Sequence, residues 1–212
     1  MVRSPCTLLW PRTMGIWEKP RTEFLDALEA EFGFEPPRAH GLDVVGSIRA
    51  MHEGNARVLI ALGGNLLSAA SDTEFTAEAL RRCALTVQIS TKLNRSHLVT
   101  GEEALILPCL GRTDLDRRDG VDRFITVENS MGFVHRSKGT LTPPSQSLRS
   151  EVEIITGLAQ TCLGDGLGWS AMGRDYREIR SRIERVIPGF EDFERRVNSG
   201  GFSLPHAVRD RR

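Results

Sequence analysis

Val58-Leu59-Ile60-Ala61-Leu62-Gly63-Gly64-Asn65 is the stretch whose reading decides the fold. Five apolar residues in unbroken succession read as a strand covered on both faces, the habit of parallel sheets in α/β proteins. The glycine pair ends that strand. A helix follows, opened by Ser71 with Glu74 three positions on, as a capping box requires, and turning Phe75, Ala79, Leu80 and Cys83 inward. A second buried strand, Leu85 to Ser90, comes directly after it. Strand, glycine turn, helix and strand within roughly thirty residues make a βαβ unit, and its crossover is expected to be right-handed.

Upstream, Phe24, Leu25, Leu28 and Phe32 share one helical face, with Gly33 at the stop. Pro36 and Pro37 break the chain, and a second helix is expected from Asp43 to Glu53, ended by Gly54. Residues 1–13 carry no readable period. Downstream, Ala104 to Leu107 form a third short strand closed by Pro108, and Gly111 to Asp122 read as a charged loop in which Asp114, Asp116 and Asp119 are solvated. Phe124 to Val127 suit another strand, and Ser137 to Ser147 an extended surface segment. A helix opened by Ser150 and Glu153 runs through Ile154, Leu158 and Cys162; a last one carries Tyr176, Ile179, Ile183, Val186 and Ile187 up to Pro188. Asn198 to Arg212 has two glycines and few apolar residues. The fold class is α/β: a parallel-sheet, Rossmann-like cofactor-binding domain with additional C-terminal helices.

Composition excludes several functions. With 40% hydrophobic and 26% charged residues the chain has the balance of a soluble globular protein. Basic and acidic residues both number 28, so the basic excess of a generic nucleic-acid or anionic-membrane binder is missing. No apolar run approaches the length of a membrane span, and Met1 to Trp10 is too short and interrupted for a signal peptide. Cys6, Cys83, Cys109 and Cys162 are scattered without a C-x-x-C spacing, which suits free buried thiols in a reducing cytoplasm better than a zinc or iron–sulfur site.

Two segments carry the functional reading. Glycines at a strand's carboxyl end allow positive φ and close approach of backbone to a ligand, the next helix offers N–H groups to a phosphate, and open α/β sheets bind ligands at this edge. Gly63-Gly64 equally suits a tight turn that binds nothing, and its spacing is neither the G-x-G-x-x-G fingerprint nor a P-loop. Ser90-Thr91-Lys92-Leu93-Asn94-Arg95-Ser96-His97 follows the second strand and so lies at the same edge. Its hydroxyls, amide, Lys92, Arg95 and His97 suit a phosphate or a purine edge. A solvated loop capping the next turn is the plainer alternative, but the placement beside the glycines favours the ligand. Thr126 to Met131 with His135 to Gly139 line a pocket or form a hairpin. The five histidines show no metal-ligand spacing, His52 and His206 read as surface residues, and no Cys–His or Ser–His–Asp set assembles. No catalytic and no metal-binding residue is assigned.

Gly15-Ile16-Trp17-Glu18-Lys19-Pro20, Ala61-Leu62-Gly63-Gly64-Asn65, the run Ser90 to Leu98, Ile106-Leu107-Pro108-Cys109-Leu110-Gly111-Arg112 and Val127-Glu128-Asn129-Ser130-Met131 occur in this order. Together they resemble the alpha-subunit branch of the molybdopterin oxidoreductases, the formate dehydrogenase-like group of the dimethyl sulfoxide reductase superfamily, from about Thr13 to the C-terminus. The resemblance implies a bis(molybdopterin guanine dinucleotide) cofactor held between α/β domains, molybdenum or tungsten for two-electron redox, and a formate-type substrate. Gly63, Gly64 and Asn65 would then lie against a pyrophosphate or ribose, and Thr91, Lys92, Asn94 and Arg95 would supply polar contacts. Members of that family are several times longer. They have an N-terminal region that in many carries an iron–sulfur cluster, and a closing β-barrel. The resemblance therefore implies an unmatched segment at 1–13, part of the α/β domain at 14–197, and a tail at 198–212 leading to an absent barrel. The domain is incomplete relative to the family, and the chain would have negligible turnover alone. Its expected partners are the missing domains, if separately encoded, and a small substrate such as formate, in the cytoplasm, with no nucleic acid and no membrane span. Two alternatives stand beside it. One is a non-catalytic guanine-nucleotide module. The other is an inert gene remnant, marginally stable and exposing an apolar patch where partner domains belong. The central domain of a thiamine-diphosphate enzyme shares the strand–glycine–helix pattern, but the Thr91 to His97 run does not favour it.

Overall fold

The computed structural model describes residues 20–204. Residues 1–13, Cys6, the Gly15 to Lys19 part of the resemblance, His206 and the last eight residues of the 198–212 tail lie outside the described residues. In chain order the elements begin with helices α1 (Thr22–Phe32) and α2 (Val44–His52), strand β1 (Val58–Leu62), helices α3 (Leu66–Ala69) and α4 (Thr73–Arg81), and strand β2 (Leu85–Ser90). A 3-10 turn (Arg95–Leu98) leads to β3 (Glu103–Pro108), β4 (Arg117–Arg118), β5 (Val121–Asp122), β6 (Ile125–Glu128) and β7 (Phe133–Ser137). Helices α5 (Glu151–Leu163), α6 (Trp169–Arg174), α7 (Tyr176–Val186) and α8 (Phe193–Asn198) and strand β8 (Phe202–Ser203) complete it. The chain divides into two units: Gly41–Gly111 with Ser145–Glu151, and 20–40 with Arg112–Pro144 and 152–204.

The first unit is built on a parallel sheet in the order β1-β2-β3, with Val58 opposite Leu85 and Leu85 opposite Glu103. The mixed α/β class and the βαβ arrangement read from the sequence are present. Asp43 caps α2 by accepting the Gly46 N–H at 2.6 Å. The cap of α4 is Asp72, which accepts the Phe75 N–H at 2.9 Å, and not Ser71. A carboxylate one residue nearer the first turn supplies the acceptor that the Ser71–Glu74 reading gave to a hydroxyl. Ile48 and Met51 of α2, Leu67 of α3, and Ala79, Leu80 and Cys83 at α4 form one buried cluster, onto which Leu59 packs.

The expectation that β1 is covered on both faces fails. Val58, Ile60 and Leu62, which alternate with Leu59, are 55%, 53% and 52% exposed. Pairing register places Leu105 of β3, also exposed, on their face, whereas Val87 and Ile89 of the central strand stay buried there. The reason is topological. β1 is an edge strand, and the helical cluster takes the Leu59 side. The two flanks of the opposite face are thus an apolar surface of the kind that ordinarily marks an interaction site.

The named strands of the second unit pair antiparallel. Arg117 to Asp122, read as loop, is a two-stranded hairpin whose corner residues Asp119 and Gly120 have φ of 50° and 79°, the Asp-Gly turn that such hairpins favour. β6, β7 and β8 form a sheet in that order. Asn129 makes the β6–β7 corner by accepting the N–H groups of Met131 and Phe133, so the third segment is a hairpin. Phe190, Phe193, Val134, Val197 and Leu204 are essentially inaccessible and pack with Val186, Ile187 and Phe202; Phe24 and Leu28 of α1 lean on them. Phe202 and Leu204 are therefore core residues within a stretch that reads as poor in apolar groups. Glu31 of α1 pairs with Arg182 and Arg185 of α7, and the Arg185 hydrogen bond holds its carboxyl below the usual range. Asp116 is not a solvated loop residue either. Arg123 reaches its carboxylate and that of Glu153, and the Tyr176 hydroxyl donates to it at 2.7 Å.

Glu128 sits partly buried on β6 with Oε2 unpartnered among the described residues, and burial pushes its carboxyl pKa up. A folded pKa above the unfolded 4.5 means that the folded state prefers the protonated acid. The penalty is absent below that value and complete once pH passes the raised folded pKa. Glu128→Gln is accordingly expected to raise the thermal midpoint at pH 7.5, with the gain fading as pH falls toward 4.5. A midpoint for the variant equal to or below the parent at pH 7.5 would contradict this.

Candidate functional site

The site lies at the carboxyl end of the parallel sheet in the first unit. The Gly63 N–H donates to Ile89 O at 2.8 Å and so extends the β1–β2 pairing by one step. Gly63 and Gly64 then adopt φ of 64° and 73°, a left-handed path that side-chain-bearing residues resist. A Cβ added at either would meet nothing within 4 Å. Backbone conformation and open space above the turn, not crowding, make these positions special.

The helix directly after the turn does not serve as the phosphate-binding N-terminus the sequence suggested. It is the four-residue α3, and two of its leading N–H groups are taken. Leu67 N–H donates to Ser96 Oγ at 3.0 Å and Ser68 N–H to Asn65 Oδ1 at 3.4 Å. The longer helix α4 starts only at Thr73.

The donor-rich loop is tied to the turn. Asn94 Nδ2 donates to Gly64 O at 2.8 Å, while Asn94 Oδ1 accepts the Ser96 N–H at 2.9 Å. Ser96 Oγ donates to Asn65 Oδ1 at 2.9 Å, and Gln88 Nε2 donates from β2 to Ser96 O at 2.9 Å. The two segments read as neighbours from the sequence are therefore one hydrogen-bonded body. Within it the seven named residues divide. Asn65 and Asn94 hold the scaffold, whereas Thr91, Lys92 and Arg95 are exposed, free of ion pairs among the described residues. Two residues absent from the sequence-based set complete it: Ser96 binds the loop to the turn, and Gln88 binds the loop to β2.

A cavity of about 10 Å³ adjoins the turn, lined by Leu59, Ala61, Gly63, Gly64, Gln88 and His97 among others. A separate apolar groove of about 440 Å³ runs between α2 and α4, past Val44, Ile48, Arg49 and Phe75, and shares no lining residue with the turn. Cys83 and Cys109 are buried and burial pushes both thiols up, so neither is an activated nucleophile. Cys162 is exposed, contrary to the expectation of buried thiols. No helix among the described residues is long and apolar enough to cross a membrane.

The class that fold and site define is an α/β unit with an open glycine turn and a loop of cationic donors at its sheet edge. No family model matches the chain. It is 53% identical over 214 residues to the Uncharacterized oxidoreductase Rv2900c of Mycobacterium tuberculosis, a match that covers 100% of this chain and 28% of that protein. It is 42% identical over 203 residues to Protein YdeP of Escherichia coli, covering 95% of this chain and 27% of that protein. The chain thus spans 27–28% of the length of the curated relatives it matches.

Proposed function

We propose that this chain is the part of a molybdopterin guanine dinucleotide-dependent oxidoreductase, formate dehydrogenase-like, that holds a portion of the cofactor. The observation that carries the reading is the Asn94-to-Gly64 tie, which sets the cationic loop beside an open left-handed glycine turn at the sheet edge where such ligands bind. The name of the mycobacterial relative, an uncharacterized oxidoreductase of which this chain matches 28% of the length, supports the redox class.

The residues fit such a group. Gly63 and Gly64 offer uncrowded backbone to a pyrophosphate or ribose, and Thr91, Lys92 and Arg95 stand exposed with donors for phosphate oxygens. Asn65 and Asn94 act by keeping that surface in shape. The metal of the cofactor, molybdenum or tungsten, would supply two-electron redox chemistry; this chain would bind and orient. The remaining domains and a formate-type substrate belong to the same reading.

The test is to express the chain in a molybdate-replete bacterium that makes the cofactor, alone and together with the rest of the mycobacterial relative. Metal and acid-released GMP per chain are then measured. Co-purifying GMP is expected, reduced at least about tenfold by Gly64→Val, because a β-branched residue resists the left-handed turn. Gly64→Asn should retain most of it. Neither metal nor GMP in either preparation rejects the proposal.

A further inference from the structure

His97 has a feature that the turn-and-loop scaffold does not use. It lies in the 3-10 turn, more than nine-tenths buried. Its Nδ1 accepts the Asn94 backbone N–H at 3.0 Å, the reciprocal half of the capping box; the contact to Asn94 O is longer, at 3.3 Å. A ring nitrogen that accepts an N–H carries no proton itself, so we assign the proton of the neutral imidazole to Nε2. That Nε2 is buried and has no partner among the described residues.

A buried donor without an acceptor is destabilising, and native interiors rarely leave one. The ring lines the small cavity together with Gly63 and Gly64. About 10 Å³ admits one water-sized atom. The amide nitrogens of Asn94 and Gln88 and the Ser96 hydroxyl each donate to a protein acceptor. His97 Nε2, by contrast, has no partner at all among the described residues, and Lys92 and Arg95 add positive charge in the exposed part of the same loop.

We propose that His97 Nε2–H is a ligand-recognition donor, directed to a single oxyanion oxygen of a phosphate-bearing molecule seated over the Gly63–Gly64 turn. This deepens the cofactor-holding reading and rests on it. A cationic or purely apolar ligand would leave the donor unmet. A phosphate oxygen meets it and suits the cations of the loop.

The test uses the full chain, GDP, inorganic pyrophosphate and guanosine. Long-range proton–nitrogen NMR of the histidine rings should show His97 with its proton on Nε2. GDP and pyrophosphate should each shift that nitrogen saturably, and guanosine should not. By calorimetry His97→Phe is expected to weaken GDP binding about tenfold, the scale of one hydrogen bond to a charged group. His97→Gln, whose amide nitrogen can stand near the Nε2 position, should stay within about threefold. Saturable GDP binding with the His97 nitrogen unmoved overturns the assignment and leaves the glycine turn standing as a site. A guanosine shift as large as that of GDP overturns the oxyanion. Failure of both GDP and pyrophosphate to bind removes this inference together with the reading on which it rests. The wild-type spectra decide the matter even if His97→Phe does not fold.

Discussion

Arg123→Met is expected to lower the unfolding free energy by about 3–5 kcal/mol, the usual consequence of removing one partner from a buried ion pair. The Arg123 side chain is 6% exposed and lies between two carboxylates. It holds Asp116 through Nε at 3.0 Å and a second contact from Nη2, and Glu153 through Nη2 at 3.0 Å. Nη1 donates to Gly173 O at 2.8 Å, and the guanidinium stacks 4.7 Å from the Tyr176 ring centre. Take the guanidinium away, and two poorly hydrated carboxylates face each other with a carbonyl left short of a donor. Methionine fills much of the volume, so the loss reports electrostatics and hydrogen bonding more than a cavity. Arg123→Lys should fall between parent and Met, because an ammonium keeps the charge but not the planar fork. Urea unfolding of the three proteins measures this. A Met variant within about 1 kcal/mol of the parent, the range of an exposed pair, would show that the cluster is in effect solvated.

Phe193→Ala is expected to cost about 3–5 kcal/mol through lost burial and the cavity left behind. Phe193 is fully inaccessible and meets Phe190 edge-on at 4.9 Å and Phe202 at 5.6 Å, so three rings support one another. Phe193→Leu keeps most of the apolar volume and should cost less than half as much as Ala. The denaturation midpoint should drop while the slope stays constant. Equal losses for Leu and Ala would mean that the edge-to-face geometry, not volume, dominates.

The parts of the fold that were legible are those where one local rule acts alone. The Val58–Leu62 and Leu85–Ser90 strands stand at their expected bounds because an unbroken apolar run in the first and strict apolar–polar alternation in the second leave little else to form. The Gly33 stop is present as a left-handed C-cap. What escaped depends on distant partners. Exposure of Val58, Ile60 and Leu62 follows from the place of β1 at the sheet edge, which no property of those five residues announces. Asp116 looks solvated among its acidic neighbours until Arg123, Glu153 and Tyr176 converge on it. Phe202 and Leu204 lie in a sparse stretch and become core only through Phe190 and Phe193. At the site, the adjacency of turn and loop was readable from their common strand ends. The division between scaffold and free donors was not, because it depends on which hydrogen bond each amide happens to complete.

The half-exposed flanks of the parallel sheet bear on how this chain lives in a cell or a test tube. Beside Val58, Ile60 and Leu62, β1 pairs on one side only among the described residues, so a wet hydrocarbon row adjoins an open strand edge. To a holdase such a molecule resembles one whose folding has stalled, and to another copy of itself it offers a template. Yield and shelf life of the isolated polypeptide should therefore track dilution, temperature and chaperone supply more closely than any catalytic variable.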